Sequence, residues 1–428
     1  MLTIEQNNLL TQTDPGTPMG NLMRRYWLPV ILSSETEPDG APVRVKLLGE
    51  RLIAFRDTSG RVGLVDELCA HRRASLWLGR NEGGGIRCVY HGWKYDVNGN
   101  CLDMMNEPED VRASFMGRVH LRSYPTLELG GVVWAYLGDG REVPPNPRFA
   151  WAQLPESHRS VSRTWQECNW LQALEGGIDT AHGGILHRRI SLDSRASGVA
   201  LDSVLARGGE PRLEVIPTSY GYRYFGVRPL PDRAFNVRAY HWILPFTQIR
   251  PERVGTDQNS GHMWVPMDDA NCMVFNWRCS FEEALKPTEH VDHRDDDGPD
   301  NIDASNNFRK RRNLDNSWMI DRQIQRSGNF TGITGINTQD HAVQESMGPI
   351  VDRSEERLGP ADRAIVTARQ ILLDSIKALA NGETPPGVAG TYYDLFAYEK
   401  FFPSERGDWR EVVDAVVTPP SLIAGVPV

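Results

Sequence analysis

The sequence has 428 residues and lacks the features that would assign it to a membrane, secreted or nucleic-acid-binding class. No uninterrupted apolar run approaches the length that spans a bilayer, and residues 1–12 are too polar for a secretion signal. Six cysteines are too few for a disulfide scaffold in a chain of this size. We therefore expect free thiols, no membrane partner and a cytoplasmic location.

Excess positive charge is also missing. The formal net charge is −9, and the one concentrated basic run, at residues 309–312, is expected to be a solvated helix face. A surface that binds nucleic acid needs a basic patch, so no nucleic-acid partner is expected. The length allows two or three domains with their own cores.

Two short clusters of cysteine and histidine are present. Cys69 and His71 form a C-x-H cluster, and after sixteen intervening residues Cys88 and His91 form a C-x-x-H cluster. Two thiolates on one iron and two imidazoles on the other define a Rieske [2Fe–2S] centre, which carries one electron at a time. A zinc site uses the same ligand types, but usually as two cysteines followed by two histidines. The motif favours the Rieske centre over zinc, and over four unrelated core residues.

Short predicted strands surround these clusters. Residues 43–65 contain three strand-like segments separated by turn residues, and Asn98–Gly99 is a strong hairpin signal. We predict a small antiparallel β domain over residues 41–147, with the metal ligands on two loops at hairpin tips. Residues 1–40 are predicted to be an N-terminal segment that packs with the second domain.

The proline-rich segment Pro144–Pro147 marks a boundary, so residues 148–428 form the second domain. Strand-like alternation recurs between residues 211 and 280. Periodicity predicts helices at 170–187, 307–327, 339–348 and 362–381. The predicted fold class is therefore α+β, with an all-β module followed by a larger sheet-and-helix module.

The first of these predicted helices carries a second set of possible metal ligands. Glu175, Asp179 and His182 would lie on one face, because residues three and four apart are neighbours on a helix. His187 follows Gly183–Gly184, which can end the helix and turn the second imidazole towards the first. Two imidazoles and one carboxylate on one side of a metal form the facial triad of non-haem ferrous oxygenases.

The third ligand of such a triad must come from elsewhere in the chain. Asp340 is the first candidate, and Glu345 is its rival. Asp179, about one turn before His182, is a candidate to orient that imidazole by accepting its other N–H. The alternative interpretations are two structural histidines, and a solvent-exposed carboxylate at Asp179.

With both motifs in place, the chain resembles the catalytic α subunit of the Rieske non-haem iron aromatic-ring-hydroxylating oxygenases. It is most similar to the phthalate dioxygenase group. Besides the two motifs, in this order, the supporting segments are Pro15–Trp27, Cys88–Lys94, Gln339–Asp340 and Gln344–Ile350. The resemblance covers essentially the whole chain.

The resemblance implies a Rieske domain and a helix-grip catalytic domain, in which an antiparallel sheet is flanked by helices. It also implies a [2Fe–2S] Rieske cluster, a mononuclear Fe(II) and O2 as co-substrate. The cluster ligands would be Cys69, His71, Cys88 and His91. The iron ligands would be His182, His187 and Asp340.

Subunits of this family form head-to-tail rings of three, so a homotrimer or stacked trimers are expected. Asp179 would then be the catalytic electron bridge between His182 and the partner subunit's His91. A separate reductase with flavin and a ferredoxin-type cluster would supply electrons from NADH or NADPH.

The implied reaction adds O2 to the ring of an aromatic carboxylate, giving a cis-dihydrodiol in the catabolism of aromatic compounds. Phthalate, isophthalate, a substituted benzoate and a phenoxybenzoate all fit. An O-demethylase or other monooxygenase could use the same two metal sites. A non-enzymatic electron carrier would need no second metal site.

A substrate carboxylate is bound well by the two-pronged guanidinium of arginine. Among the arginines between residues 207 and 250, Arg207 and Arg238 are the leading candidates. Strand alternation places Arg238 on one face with Tyr240 and Trp242. The alternative for each arginine is an exposed strand position without a ligand.

Overall fold

The structure is a computed structural model of the chain. It describes residues 1–139, 142–190, 211–230, 235–252, 256–291, 297–388, 390 and 395–402. The chain divides into two compact units. The smaller unit is Thr13–Asn146 with Pro266–Asp268, and the larger unit is Met1–Gln12, Pro147–Val265 and Asp269–Val428.

The described helices are short except for the last. In chain order they are α1 (Ile4–Thr11), α2 (Pro18–Met23), α3 (Glu109–Met116), α4 (Trp170–Ile178), α5 (Gly183–Leu186), α6 (Arg322–Ser327), α7 (Ile336–Glu345) and α8 (Arg363–Ala380). No helix among the described residues combines the length and the apolar character needed to cross a bilayer.

The smaller unit is built from three antiparallel sheets. Its strands are β1 (Trp27–Leu32), β2 (Val43–Leu47), β3 (Glu50–Arg56), β4 (Val62–Asp66), β5 (Arg80–Glu82), β6 (Gly85–Arg87), β7 (Trp93–Tyr95), β8 (Cys101–Met104), β9 (Ser123–Tyr124), β10 (Thr126–Leu129) and β11 (Val132–Tyr136). The sheet orders are β1-β11-β10, β2-β3-β4-β9 and β5-β6-β7-β8.

The predicted N-terminal segment 1–40 is divided between the two units. Met1–Gln12, which contains α1, belongs to the larger unit, whereas the residues from Thr13 onward belong to the smaller one. The reason is strand pairing: β1 lies antiparallel to β11, with Trp27 opposite Tyr136.

One large sheet dominates the larger unit. Its strands are β12 (Arg159–Gln166), β13 (Arg212–Thr218), β14 (Gly221–Pro229), β15 (Phe235–Ile243), β16 (Thr247–Pro251), β17 (Gln258–Asp268), β18 (Asn271–Ser280), β19 (Ile302–Asp303), β20 (Arg309–Lys310) and β21 (Tyr398–Phe402). The order is β13-β14-β15-β16-β17-β18-β12-β20-β19, with β21 paired to β15. The pairing is mostly antiparallel, but β12 and β20 run parallel.

The α+β fold class predicted from the sequence is confirmed: a β module and a larger module with a mostly antiparallel sheet and helices. The periodicity of the last predicted helix is also visible in α8, where Ala368 and Leu372 are fully buried. All six cysteines lie within the described residues and are free thiols.

Two predicted helices differ from the structure. The helix predicted over 170–187 ends at Ile178, before the glycines expected to end it. The segment predicted as helix over 307–327 instead contains the strand β20, a short 3₁₀ segment, Leu314–Met319, and then α6. Ser317–Met319 have φ of 51–52°, in the left-handed region that a right-handed helix excludes.

Candidate metal centres

The two Cys–His loops of the smaller unit have the same backbone design. In the first, the Cys69 carbonyl accepts from the amide of Arg73, and in the second the Cys88 carbonyl accepts from Gly92. The cysteine amides in turn donate to carbonyls five positions later, those of Ala74 and Trp93. Arg73 and Gly92 both have positive φ, 61° and 74°. Each loop is therefore a closed turn that presents a cysteine and a histidine.

The loops differ in how they are attached to the sheets. The second joins β6 to β7, which form an antiparallel hairpin, as predicted for both loops. The first joins β4 to β5, which belong to different sheets, so it is not a hairpin tip.

The thiols of these loops are buried and the imidazoles are half-exposed. Cys69 and Cys88 are 1% and 2% exposed and belong to a hydrophobic core with Phe55, Trp93 and Tyr95. The hydrogen bond between the two thiols lowers the pKa of Cys88 to about 6 and raises the pKa of Cys69. One thiolate is thus favoured before any metal binds, and the Tyr95 hydroxyl lies 3.2 Å from the Cys69 sulfur.

The imidazoles lie together at the surface of this core. The His71 and His91 ring centroids are 4.5 Å apart, and His71 stacks on the indole of Trp93 at 4.4 Å. Burial and the nearby charges of His91 and Arg72 lower the pKa of His71, which favours the neutral form that binds metals. His71 Nδ1 is buried and has no hydrogen-bond partner.

No three of these four side chains have ligand atoms that all lie within 4.8 Å of one another. Ligands of one tetrahedral zinc, at ~2.0–2.3 Å from it, lie within about 4 Å of one another. Within the described parts of the chain, just one group of three or more potential ligands has all its atoms within 4.8 Å, and it is elsewhere. The wider spacing here suits a cluster of two irons rather than one zinc.

That other group is His182, His187 and Asp340 in the larger unit. Asp340 Oδ1 lies 3.3 Å from Nε2 of each imidazole, and the two rings are nearly perpendicular. Burial opposes ionisation of Asp340, but the two imidazoles outweigh it and lower its pKa. The three residues are partly exposed, although the Asp340 Oδ1 atom itself is buried.

The turn between α4 and α5 is formed by Asp179. Its Oδ1 accepts from the amide of Ala181 at 2.7 Å, and its Oδ2 lies 3.2 Å from His182 Nδ1. This side-chain capping ends the helix at Ile178 and brings His182 towards His187. Burial lowers the pKa of His182, but Asp179 and Asp340 outweigh it and raise the value to about 10.

Glu345, the alternative candidate for the third ligand, does not face the histidines and makes other buried contacts. Its carboxylate forms a fully buried ion pair with Lys310 at 2.6 Å and accepts from the indole of Trp318 at 2.7 Å. Both groups come from the segment before α6. Glu345 therefore fastens the end of α7, while Asp340 in the same helix faces the histidines.

Glu175 does not share the face of Asp179 and His182. It is buried in an ion-pair network with Arg353 at 2.9 Å and Arg369 at 2.6 Å. Arg353 also donates to Asn7 in α1 at 3.0 Å. Both arginines lie far along the sequence, and no local signal points to this network. It ties α4, which precedes the histidines, to α1 and α8.

Gln339, which precedes Asp340, was named from the sequence only as part of a supporting segment, and no role was assigned to it. Its Oε1 lies 2.8 Å from His187 Nδ1, and its Nε2 donates to Ile333 O. Asn337, another buried side chain of α7, donates to Asp297 Oδ2 at 2.7 Å. At the contact with α4, a Cβ on Gly176 would lie 1.9 Å from Gln344 Nε2, so any larger residue there would require the Gln344 side chain to move.

Of the two arginines predicted to bind the substrate carboxylate, the structure describes only one. Arg207 lies outside the described residues. Arg238, on β15, is 14% exposed and pairs with Glu399 at 3.2 Å, its cross-strand neighbour on β21. It also donates to Pro251 O at 3.0 Å.

Comparison with known families covers both units. Residues 26–125 match the Rieske [2Fe–2S] domain, and residues 135–419 match the LigXa C-terminal domain-like family.

Relatives match over almost the whole chain. The phthalate 4,5-dioxygenase oxygenase subunit of Pseudomonas putida is 39% identical over 96% of this chain and 93% of that protein. The 3-chlorobenzoate-3,4-dioxygenase oxygenase subunit of Comamonas testosteroni is 39% identical over 91% and 92%. A solved structure, the reduced complex between oxygenase and ferredoxin in carbazole 1,9a-dioxygenase, has a TM-score of 0.57 at 20% identity, covering 91% of this chain and 96% of that one.

These matches confirm the resemblance inferred from the two motifs. The family uses a Rieske [2Fe–2S] cluster, mononuclear iron and O2, as the sequence predicts. The two family matches and the identity to oxygenase subunits show that this chain belongs to the Rieske non-haem iron oxygenases, a family of oxidoreductases.

Proposed function

We propose that the chain is the oxygenase component of a multicomponent Rieske dioxygenase acting on an aromatic carboxylate. It adds O2 to the ring to give a cis-dihydrodiol, with electrons from an NAD(P)H-dependent reductase. One observation carries the proposal: a two-cysteine, two-histidine loop pair and a two-histidine, one-carboxylate site occur in the same chain. The names of the two 39% identical relatives, a phthalate and a chlorobenzoate dioxygenase, support the substrate class.

We propose His182, His187 and Asp340 as the iron ligands, and the charges of the site support this. His182 has a carboxylate beside each ring nitrogen, Asp179 at Nδ1 and Asp340 at Nε2. An imidazole between two carboxylates requires a cation, either a proton or a metal. Three ligands from one side leave the other positions of an iron open.

We propose Cys69, His71, Cys88 and His91 as the cluster ligands. The buried Nδ1 of His71 has no protein partner, as expected for an atom that binds iron. When bound, the cluster supplies single electrons and the iron supplies the redox chemistry of O2.

Arg238 and Arg207 remain our proposals for binding the substrate carboxylate. Arg238 already binds the carboxylate of Glu399. A substrate carboxylate would therefore either displace Glu399 from Arg238 or bind Arg238 together with Glu399. A guanidinium has five N–H donors, so it can bind two such groups through separate donors.

We propose a ring of three subunits, or stacked rings, in which Asp179 links His182 to the partner subunit's His91. Exposed apolar residues support a contact at each centre. Val89, Tyr90 and Met105 are 55%, 56% and 63% exposed beside the cluster loops. Ile185, Ile336 and Val343 are 45%, 58% and 39% exposed beside the iron site. Exposed apolar surfaces of this kind mark protein interfaces.

The reductase is proposed as a separate protein, because the Rieske and LigXa C-terminal matches together account for residues 26–125 and 135–419 of this chain. The carbazole oxygenase, which shares the fold, was solved as a complex with its ferredoxin. The cytoplasmic location stays a prediction.

The decisive experiment is coupled turnover with a reductase on mono- and dicarboxylated benzoates, measuring O2 uptake, product regiochemistry and hydrogen peroxide. A cis-dihydrodiol containing both atoms of one labelled O2 is expected. A demethylated or singly hydroxylated product would assign the monooxygenase alternative. No O2 consumption in protein with both metals loaded would contradict the oxygenase proposal for these substrates.

Assembly is tested by light scattering of the purified protein. The expected mass is three or six chains, and Met105→Glu is expected to shift it towards one chain while the cluster spectrum persists. A monomeric wild-type protein with full coupled turnover would contradict the ring.

A further inference from the structure

We propose that Gln339 is a positioning residue that holds the proton of His187 on Nδ1, so that Nε2 is the atom available to the metal. The inference rests on the iron site proposed above. It adds a side chain that contacts neither metal nor substrate and acts through His187.

The orientation of the Gln339 amide is determined by its second partner. Gln339 is 5% exposed, and its amide nitrogen donates to Ile333 O at 2.9 Å. A backbone carbonyl can only accept, so the nitrogen end must face it. The oxygen end is then the atom 2.8 Å from His187 Nδ1.

This orientation decides the tautomer of His187. The Gln339 carbonyl oxygen cannot donate, so Nδ1 must carry the hydrogen of the contact. A neutral imidazole has one N–H, so Nε2 keeps its lone pair, and it faces Asp340 Oδ1 at 3.3 Å. Two acceptors at this distance repel each other unless a cation lies between them.

The two histidines are oriented by groups of different charge. Asp179 places a carboxylate beside Nδ1 of His182, whereas Gln339 places a neutral amide beside Nδ1 of His187. The amide selects the metal-binding tautomer without adding a further negative charge to the site. Since Gln339 and Asp340 are consecutive in α7, the helix that supplies the carboxylate ligand also orients an imidazole.

Replacing this amide should weaken the metal site specifically. Gln339→Met keeps the length and burial of the side chain but removes the acceptor. The tautomer with hydrogen on Nε2, in which Nε2 cannot bind the metal, then becomes accessible. Loss of an orienting partner typically costs roughly 10–100-fold in metal affinity. We expect a loss of this size for Co(II) at the mononuclear site, with a changed visible Co(II) spectrum.

Gln344→Met is the matched control. Gln344 lies on the same helix, is 6% exposed, and its side chain bonds to Gln166 rather than to a histidine. Both variants are titrated with Co(II) as full-length protein whose Rieske cluster is intact by visible absorption, and their melting temperatures are recorded. Gln344→Met is expected to lower stability and keep the wild-type Co(II) affinity. An equal loss of affinity in both variants would overturn the proposal.

Gln339→Glu keeps the acceptor for Nδ1, because a carboxylate also accepts, but it gives up the donor to Ile333 O and adds a negative charge. It is expected to bind Co(II) far more tightly than Gln339→Met, and if Gln339→Met does not fold, weak binding by folded Gln339→Glu would overturn the role. His187→Ala separates the two proposals. Wild-type affinity in His187→Ala would refute the iron site itself, whereas loss there with unchanged affinity in Gln339→Met would refute only the role of Gln339.

Discussion

The proposed cluster loops of the smaller unit and the proposed iron site of the larger unit differ in how far apart along the chain their contacting residues are. Each cluster loop closes on itself within a few residues through backbone hydrogen bonds. The iron site instead joins two regions of the chain, since His187 and Gln339 are 152 positions apart and in contact. The first centre depends on turns attached to a core, and the second depends on buried contacts between helices.

The largest effects, and the clearest distinction between the two centres, are expected when one proposed ligand of each centre is replaced. Asp340→Ala should reduce turnover to background and abolish metal binding at the iron site, because two imidazoles alone leave it without its charged ligand. The visible spectrum of the cluster should remain. Cys88→Ser should do the reverse, removing the cluster spectrum and leaving Co(II) binding at the iron site. If either change removed both metals, the two centres would not be independent structures.

Asp179→Asn tests the contact proposed to join the centres between subunits. We expect both metals to be retained and coupled turnover to fall roughly 10–100-fold, as for other groups that orient a ligand imidazole. Single-turnover oxidation of the reduced cluster by O2 and substrate measures the step directly. Near wild-type coupled turnover would show that the bridge role is wrong.

Glu175→Gln tests how far the iron site depends on distant contacts. Leaving Arg353 and Arg369 without their shared carboxylate should destabilise the larger unit by about 3–5 kcal/mol. Denaturant unfolding followed by tryptophan fluorescence measures this, while absorption of the cluster follows the smaller unit. Equal destabilisation of both would contradict the division into units.

The same carboxylate predicts the response to acid. Burial would raise the pKa of Glu175, but the two arginines outweigh it and hold the pKa below its ordinary value of 4.5. The ion pairs therefore contribute their full stability above about pH 4.5, and this contribution is lost as the pH falls through the lowered folded-state pKa. Glu175→Gln should flatten the stability curve of the larger unit in that acid range. A curve parallel to wild type would exclude Glu175 as a source of the acid dependence.

The smallest effects are expected within the cluster loops. Gly92→Ala should cost at least about 1–2 kcal/mol, because φ is 74° and the new Cβ would lie 2.7 Å from Met105. Arg73→Gly, at the equivalent position of the other loop, should be neutral or stabilise slightly, by up to about 1 kcal/mol, since glycine removes the strain. The temperature at which the cluster is lost measures both. Equal effects of the two changes would contradict the equivalence of the loops.

The sequence predicted the ligand candidates of both centres because metal chemistry restricts residue type and spacing. It predicted the end of α4 at the wrong residue. The side chain of Asp179 accepts from the amide of Ala181 and ends the helix there, and hydrophobic periodicity carries no information about such a contact. It ranked Asp340 ahead of Glu345 but left Glu345 open as the alternative, since both are carboxylates in one helix. The burial of Glu345 against Lys310 separates them.

By itself, the sequence determined the two metal motifs, the α+β class and the family, because these depend on residue chemistry and on patterns within short segments. Only the tertiary structure decided that Asp340 meets the two histidines, that Glu175 belongs to an ion-pair network, and that Gln339 orients His187. The physical reason is distance along the chain. Contacts between remote segments are selected by the packing of the whole unit, and no local pattern records which buried polar group will find which partner.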